Sequence, residues 1–402
     1  MAAESSALRS GDAPRKPRLS LVVGGLVLSV TMNHRSSGGE GNSASEHRRG
    51  SRITFLSHRT GHNVLYKMRP NASELTPVFG GELRGVPTIV NEVKLYREPH
   101  WTRQSPNGRY FASWVYDQGI PYEKWQGDPR AMLHVGGLDA AWSRVLNPDC
   151  HEEFAWSPDS TRIAFTVFSE RRGYFESKLP SSKIMVAGMD GSNQECLLEK
   201  PGLWMVCDWS PDGKRLLLRK DVYGEQPNDV NDLVEFDLAA ELAARTRSKQ
   251  GPSLRSNEWP ATAAPGFLKR LLPRSAKIDP NEARYSPDGK ELAIDYVEPA
   301  KRYAPNECAE GLGRLNMMRC LGRIGILAIA TGQTKTITDY PDGLRGPICW
   351  SPDGNEVLFS RYLPKGDDRE RMGHEHGLAI WAIGKDGRHA RFVTTGWSPD
   401  WR

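Results

Sequence analysis

The chain has 402 residues, 38% hydrophobic, 9% aromatic and 26% charged, with 39 glycines and 28 prolines, the make-up of a turn-rich globular protein with ample length for a core. Its formal charge of +5, from 54 Lys+Arg against 49 Asp+Glu, is small for this length. No dense Lys/Arg stripe interleaved with aromatics occurs, which speaks against a nucleic-acid surface.

In chain order, residues 1–49 differ in kind from the rest. Arg15, Lys16 and Arg18 precede the apolar run LSLVVGGLVLSVTM, residues 19–32, and a polar Gly/Ser-rich linker follows. A basic flank before an apolar run of this length suits an export signal, because a membrane-spanning helix needs nearer to ~20 residues. No clean small-x-small cleavage site follows, so an uncleaved anchor is the alternative, and the protein is cytoplasmic if Met32 is the true start. The expectation is an exported, periplasmic or extracytoplasmic protein that meets a membrane only through such an anchor.

From Gly50 the chain reads as strands. GSRITFLS places Ile53 and Phe55 two apart, the strand period. NVLYKM and ELTPV then read as two further strands around a turn at Asn71, whose Asn-Ala-Ser also fits a glycosylation sequon but is explained by turn chemistry. A recurring signal follows: RQSPNGRYF from Arg103, AWSPDSTRIAF from Ala155, DWSPDGKRLLL from Asp208, RYSPDGKELAI from Arg284, CWSPDGNEVLF from Cys349 and the terminal GWSPDWR from Gly396, with serines 52, 53, 76, 65 and 47 residues apart.

Each unit has one grammar. A short strand ending in an aromatic (Trp156, Trp209, Tyr285, Trp350, Trp397) meets a Ser-Pro-Asp-Gly turn, in which Pro presets φ and Gly supplies a positive φ cheaply. An alternating strand follows, then a variable loop, a third strand (KIMVAGM, DLVEFDL, RIGILAI, LAIWAIG) and a fourth (QECLLE, ARFVTT). Four antiparallel strands per roughly 50-residue repeat make a propeller blade. GWSPDWR is read as the sixth copy, with GSRITFLS as its continuation, so that the last strand closes the N-terminal blade.

These repeats resemble the WSPDG-type units of TolB-like six-bladed propellers, also found in prolyl-oligopeptidase-type enzymes, over residues 50–402. The resemblance implies an all-β, six-bladed propeller of four-stranded antiparallel blades and often an extracytoplasmic location. The 49 residues before Gly50 are too few for TolB's separate N-terminal α/β domain, so its partner role is not carried over. No GxSxG nucleophile elbow occurs, which excludes a prolyl-oligopeptidase-type hydrolase.

One insertion, about 239–281, carries AAELAARTR and FLKRLLPR, both of helical composition, and reads as a helical or irregular excursion. Of six cysteines, Cys207 and Cys349 fall in innermost strands and Cys196 in an outermost one, positions that suit buried free thiols. Cys308 and Cys320, in one long insertion, are the disulfide candidates.

The long loops fall between second and third strands and therefore share one face, where binding is usually carried. The candidate contact residues there are His58, Arg59, His62, Tyr122, Trp125, Arg172, Tyr174, Tyr223, Arg302, Tyr303, His374 and His376, joined by Trp204 from a link between blades; aromatics and Arg suit interface contacts. Asp149, Glu152 and Glu153 are read as surface acids, with channel lining as the alternative. No cofactor motif is present. The reading is a monomeric, non-catalytic binding or scaffolding propeller engaging a protein, peptide or glycan through its loop-rich face. The alternative is a metal-dependent hydrolase or lyase in the propeller funnel, with His374 and His376 holding a divalent ion.

Overall fold

The computed structural model describes residues 51–60, 63–80, 89–90, 93–94, 97–117, 131–139, 142–147, 150–168, 181–221, 230–249, 267–273, 276, 278–297, 322–338, 344–362 and 378–402. The segment 1–49 lies outside them. In chain order the strands are β1 (Ile53–Ser57), β2 (Val64–Met68) and β3 (Thr76–Gly80), then a short hairpin of β4 (Ile89–Val90) and β5 (Val93–Lys94). The second blade holds β6 (Arg97–Gln104), β7 (Tyr110–Asp117), β8 (Ala131–Gly137) and β9 (Ser143–Asn147), and the third holds β10 (Cys150–Trp156), β11 (Arg162–Phe168), β12 (Ser181–Gly188) and β13 (Glu195–Pro201). The fourth has β14 (Leu203–Trp209), β15 (Arg215–Asp221), β16 (Asp232–Asp237), helix α1 (Leu238–Lys249) and β17 (Leu268–Arg270). The fifth has β18 (Asp279–Tyr285), β19 (Glu291–Val297), β20 (Gly322–Ala328) and β21 (Gln333–Thr336). The sixth has β22 (Leu344–Trp350), β23 (Glu356–Tyr362), β24 (Leu378–Gly384) and β25 (Arg391–Thr395), and β26 (Trp397–Trp401) pairs with β1 to complete the first blade.

The core lies between blades, not within them. Among the described residues six buried apolar clusters occur, and each spans two consecutive sheets, including one shared by the sixth and first blades. That last cluster closes the ring. Strand β15 shows why the second strands are apolar throughout: Leu216 and Leu218 face the third blade while Leu217 faces the fifth. Both faces of a blade are buried, so a continuous apolar run is the expected composition.

Two sequence expectations change. FLKRLLPR is not helical: α1 spans Leu238–Lys249, while Leu268–Arg270 is the outer strand of the fourth blade, paired with Val234–Phe236. Leu271 and Leu272, next in the chain, are buried against the fifth blade. Sheet pairing outweighs local helix propensity here.

The register of the closing strand also differs. In the other blades the last inner-strand residue lies opposite the first apolar residue of the next strand: Trp156 opposite Ile163, Trp209 opposite Leu216, Tyr285 opposite Leu292 and Trp350 opposite Val357. In the first blade that partner of Ile53 is Trp401, not Trp397. Arg402 exchanges two backbone hydrogen bonds with Arg52 (3.0 and 2.7 Å), as Ser157 bonds Arg162 in the third blade. Ser398–Asp400 therefore run inside a strand and do not form a sixth turn. The strand is bent for this: its register shifts between Thr54 and Leu56, and Gly396 sits at φ 141°, where a Cβ would meet Leu56 O at 2.3 Å.

Trp401 is 2% exposed, and its indole N–H donates to Ser51 Oγ. Trp401→Ala should cost about 3–5 kcal/mol, the range for emptying a large aromatic site, and half-buried Trp397→Ala clearly less, read by urea denaturation. Equal losses would return the register to Trp397.

Candidate functional site

The Ser-Pro-Asp-Gly turns form one end of the ring, and their sequence is explained by a hydrogen-bond set that recurs in five blades. In the fifth, the Ser286 hydroxyl donates to Asp288 Oδ1 at 2.7 Å, Lys290 N–H donates to the same oxygen at 3.1 Å, and Glu291 N–H donates to Ser286 Oγ at 3.0 Å. Ser105, Ser157, Ser210 and Ser351 repeat it with Asn107, Asp159, Asp212 and Asp353. The Ser286 hydroxyl and Lys290 N–H hold the Asp288 carboxyl below its ordinary range. Neighbouring turns interlock, because a Cβ on Gly289 or Gly354, both at positive φ, would touch the proline of the preceding turn, Pro211 or Pro287, at 3.5 and 3.4 Å.

Inside this ring of turns is a cavity of about 280 Å³. Its rim carries one proline from each of five turns, Pro106, Pro158, Pro211, Pro287 and Pro352, and Pro399 of the closing strand also lines it. Below them lie Trp156, Trp209, Tyr285, Trp350 and Trp401, and deeper Arg103, Asp208, Arg284 and Asp400. Two of the indoles brace blade to blade: Trp156 Nε1 donates to Arg103 O (3.2 Å) and Trp350 Nε1 to Arg284 O (3.1 Å).

Arg103 and Arg284 converge from the second and fifth blades. Each donates to Cys207 O at 2.7 Å and to Glu282 Oε1, in the case of Arg103 at 3.2 Å. Burial and the neighbouring Arg284 pull Arg103 down to about 10. Arg284, although burial opposes its charge, is held above the ordinary value by Glu282, Asp208 and Asp400.

A second buried polar layer continues from Glu282. Glu153, read above as a surface acid, is 5% exposed and pairs with Arg219 at 2.9 Å. Burial would lower Arg219, but Glu153 and Asp221 hold it well above its usual value. Asp295 lies opposite Glu282 in the sheet, and burial, reinforced by the Glu282 charge, raises its carboxyl to about 7. Like charges opposite each other on a sheet are destabilising. Burial pushes the Cys207 and Cys349 thiols up, so neither is a ready nucleophile.

Of the residues singled out on the loop-rich face, three are described. His58 shares a hydrogen bond with Asn63 Oδ1 at 3.0 Å. Arg59 lies over the Phe55 and Tyr66 rings and donates to Thr395 O at 2.9 Å, clamping the first blade to the sixth. Trp204 is 8% exposed, its Nε1 donating to Pro201 O at 3.2 Å, with Lys220 over its ring. These three are thus tied into the ring itself. His62, Tyr122, Trp125, Arg172, Tyr174, Tyr223, Arg302, Tyr303, His374, His376, Cys308 and Cys320 lie outside the described residues. Among the described residues no group of three or more His, Cys, Asp or Glu could hold a metal ion, and Cys150, Cys196, Cys207 and Cys349 are free thiols. Sequence reasoning missed the turn-face cavity because its short turns looked structural. The available signal was that the turns carry a proline and an aromatic in nearly every copy.

The Asp295 carboxyl gives a pH test. Its folded value stands above the unfolded one, so the folded state holds the extra proton and stability falls as pH rises from about 4 toward 7. Asp295→Asn should raise the melting temperature at pH 8 and flatten that slope; an unchanged slope would contradict the burial argument.

No protein-family model matches the chain, and neither does any curated protein. Among solved structures it is similar to TolB from Acinetobacter baumannii, at 14% identity and a TM-score of 0.52, covering 87% of this chain and 66% of that one, so this chain spans just under two thirds of that protein's length. A putative TolB from Agrobacterium tumefaciens matches at 16% identity and a TM-score of 0.47, covering 87% of this chain and 91% of that one. An oligogalacturonate lyase from Vibrio parahaemolyticus matches at 9% identity and 0.47, covering 87% and 75%. Likeness at such identities reaches the fold alone, and with six four-stranded blades closed by the C-terminal strand, the chain has the fold of a TolB-like six-bladed β-propeller.

Proposed function

We propose that this chain is a non-catalytic binding or scaffolding propeller, exported from the cytoplasm, that engages a protein, peptide or glycan through its loop-rich face. The observation that carries the reading is the unequal treatment of the two ends of one rigid ring. At one end, five turns share the same hydrogen-bond set and little length. At the other, the connections between second and third strands run from Ser57 to Val64, Asp117 to Ala131, Phe168 to Ser181, Asp221 to Asp232, Val297 to Gly322 and Tyr362 to Leu378. Such variable connections on a fixed scaffold are the usual carriers of recognition. The short basic and apolar stretch at residues 15–32 supports export. No helix among the described residues is long and apolar enough to cross a membrane.

The test replaces 298–320 and 363–377 with Asn-Gly turns, which suit tight two-residue hairpins. A partner captured by the full chain is identified by mass spectrometry and its binding remeasured with purified components. The loop-shortened protein should keep its melting temperature within a few degrees and lose at least tenfold in affinity. Undiminished affinity would remove the loop-rich face as the site. Stoichiometric divalent metal in the purified protein, lost on His374→Ala and His376→Ala, would instead favour a metal-dependent hydrolase or lyase.

A further inference from the structure

Of the five Ser-Pro turns, four carry Asp in the third position, whereas the turn of the second blade carries Asn107, followed by Gly108. Its geometry is nevertheless that of its relatives. The Ser105 hydroxyl donates to Asn107 Oδ1 at 2.7 Å, Arg109 N–H donates to the same oxygen at 3.0 Å, and Tyr110 N–H donates to Ser105 Oγ at 3.0 Å. In the fifth blade Ser286, Lys290 and Glu291 do the same around Asp288. A carboxamide thus occupies a slot built for a carboxylate. Its Oδ1 makes the hydrogen bonds, and its Nδ2 has no partner among the described residues. Ionised acceptors make the stronger hydrogen bonds, and in the fifth blade these same donors hold the Asp288 carboxyl below its ordinary range.

Three features prepare Asn107 for conversion to that carboxylate. The two donors on Oδ1 draw electrons from Cγ and stabilise negative charge developing on the oxygen, the arrangement that speeds acyl transfer. The nearest nucleophile is the backbone nitrogen of the next residue, and glycine admits the closest backbone approach. Asn107 is also exposed, so water reaches it. One bond acts as a brake, because Gly108 N–H is spent on Ser105 O at 2.9 Å. Gly108 has room to release it: at φ 67° a Cβ there would meet nothing within 4 Å, whereas Gly289 and Gly354 are flanked by Pro211 and Pro287. The difference follows from ring closure, since the first blade sets a strand, not a turn, beside the turn of the second.

We propose that Asn107 is a self-modification site, deamidated within the folded ring to the aspartate that its sister turns carry. The Gly108 nitrogen attacks Asn107 Cγ, its proton passes to Nδ2, and the Cγ–Nδ2 bond breaks to release ammonia and leave a succinimide. Water then adds to one of the two imide carbonyls. Opening at Cγ breaks the new Cγ–N bond, returns a proton to the Gly108 nitrogen and yields Asp. Opening at the main-chain carbonyl yields isoaspartate, the chief product in unstructured chains. Ser105 Oγ and Arg109 N–H polarise Cγ and not the main-chain carbonyl, so the fold directs opening toward Asp. The product adds a fifth carboxylate to the ring of turns, beside Asp159, Asp212, Asp288 and Asp353. The site is independent of the loop-rich face.

The full chain is incubated at pH 8 in heavy-oxygen water and digested at acidic pH. Residue 107 is then read by mass spectrometry with electron-transfer fragmentation, which separates Asp from isoaspartate. A parallel sample is kept unfolded in urea. The folded chain should convert residue 107 mainly to Asp, with heavy oxygen in the new carboxyl, and the unfolded chain mainly to isoaspartate. Gly108→Ala hinders the attacking nitrogen and should slow conversion at least tenfold. That variant is strained at positive φ, so Ser105→Ala gives a second reading: it removes one donor from Oδ1 and should raise the isoaspartate share of the folded chain at least threefold. Asn107→Asp, made directly, should melt at or above the temperature of the unconverted chain at pH 7. An unconverted residue 107 in the folded chain, isoaspartate as its main product, undiminished conversion in Gly108→Ala, an unchanged product ratio in Ser105→Ala, or a drop of several degrees in Asn107→Asp would each overturn the proposal.

Discussion

Everything in this molecule depends on the fact that a blade has no core of its own. Its four strands carry apolar side chains on both faces, and those faces are covered only by the next blade and the one before. Among the described residues, most of the largest buried side chains, including Phe55, Phe111, Phe154, Phe165, Phe359 and Trp401, come from the two innermost strands of the blades, and Phe236 comes from a third strand. A linear stack of such sheets leaves two apolar faces open to water and to edge pairing. Joining β26 to β1 removes both, by placing Trp401 in the same cluster as Cys349, Leu358 and Ile380 of the sixth blade.

The polar interior follows from the same geometry. Inner strands point some side chains toward the ring's axis, where no apolar neighbour exists, and the structure fills that space with charges that satisfy one another. Thr102 N and Gln104 N donate to Ser398 and Asp400 across the seam, Arg103 reaches across the axis to the fourth and fifth blades, and Arg284 reaches the fourth and sixth. Buried charges are tolerated when paired and are costly to unpair. Arg103 thus ties non-adjacent blades together, which the apolar clusters between neighbours do not.

Much of this was legible in the sequence, and the exceptions have physical causes. Turn chemistry repeated at intervals of about 50 residues gave the blade count, strand order and ring closure, because Ser, Pro, Asp and Gly each have a defined task in the turn. The terminal copy misled by a few residues, since Trp-Ser-Pro-Asp also fits within a bent strand when a glycine such as Gly396 precedes it. FLKRLLPR misled because its propensities are local while its pairing with Val234–Phe236 is not. Glu153 and Arg219 could not be matched from spacing, being 66 positions apart and in different blades. The turn-face cavity arises from five separate turns and the closing strand, and no local pattern announces a space that none of them contains alone.

The pairing of Ile53 with Trp401 also sets an order in time. During vectorial synthesis, at about 5–20 residues per second, β1 emerges long before its inner partner, by an interval on the order of tens of seconds. Meanwhile blades two to six can complete their own sheets in succession, whereas the first blade waits with an unpaired inner edge and the sixth with an uncovered face. The chain therefore spends most of its synthesis as an open arc, and the exposed partner surfaces of Ile53, Phe55 and Leu358 are those a chaperone or a second nascent copy would meet before the ring is sealed.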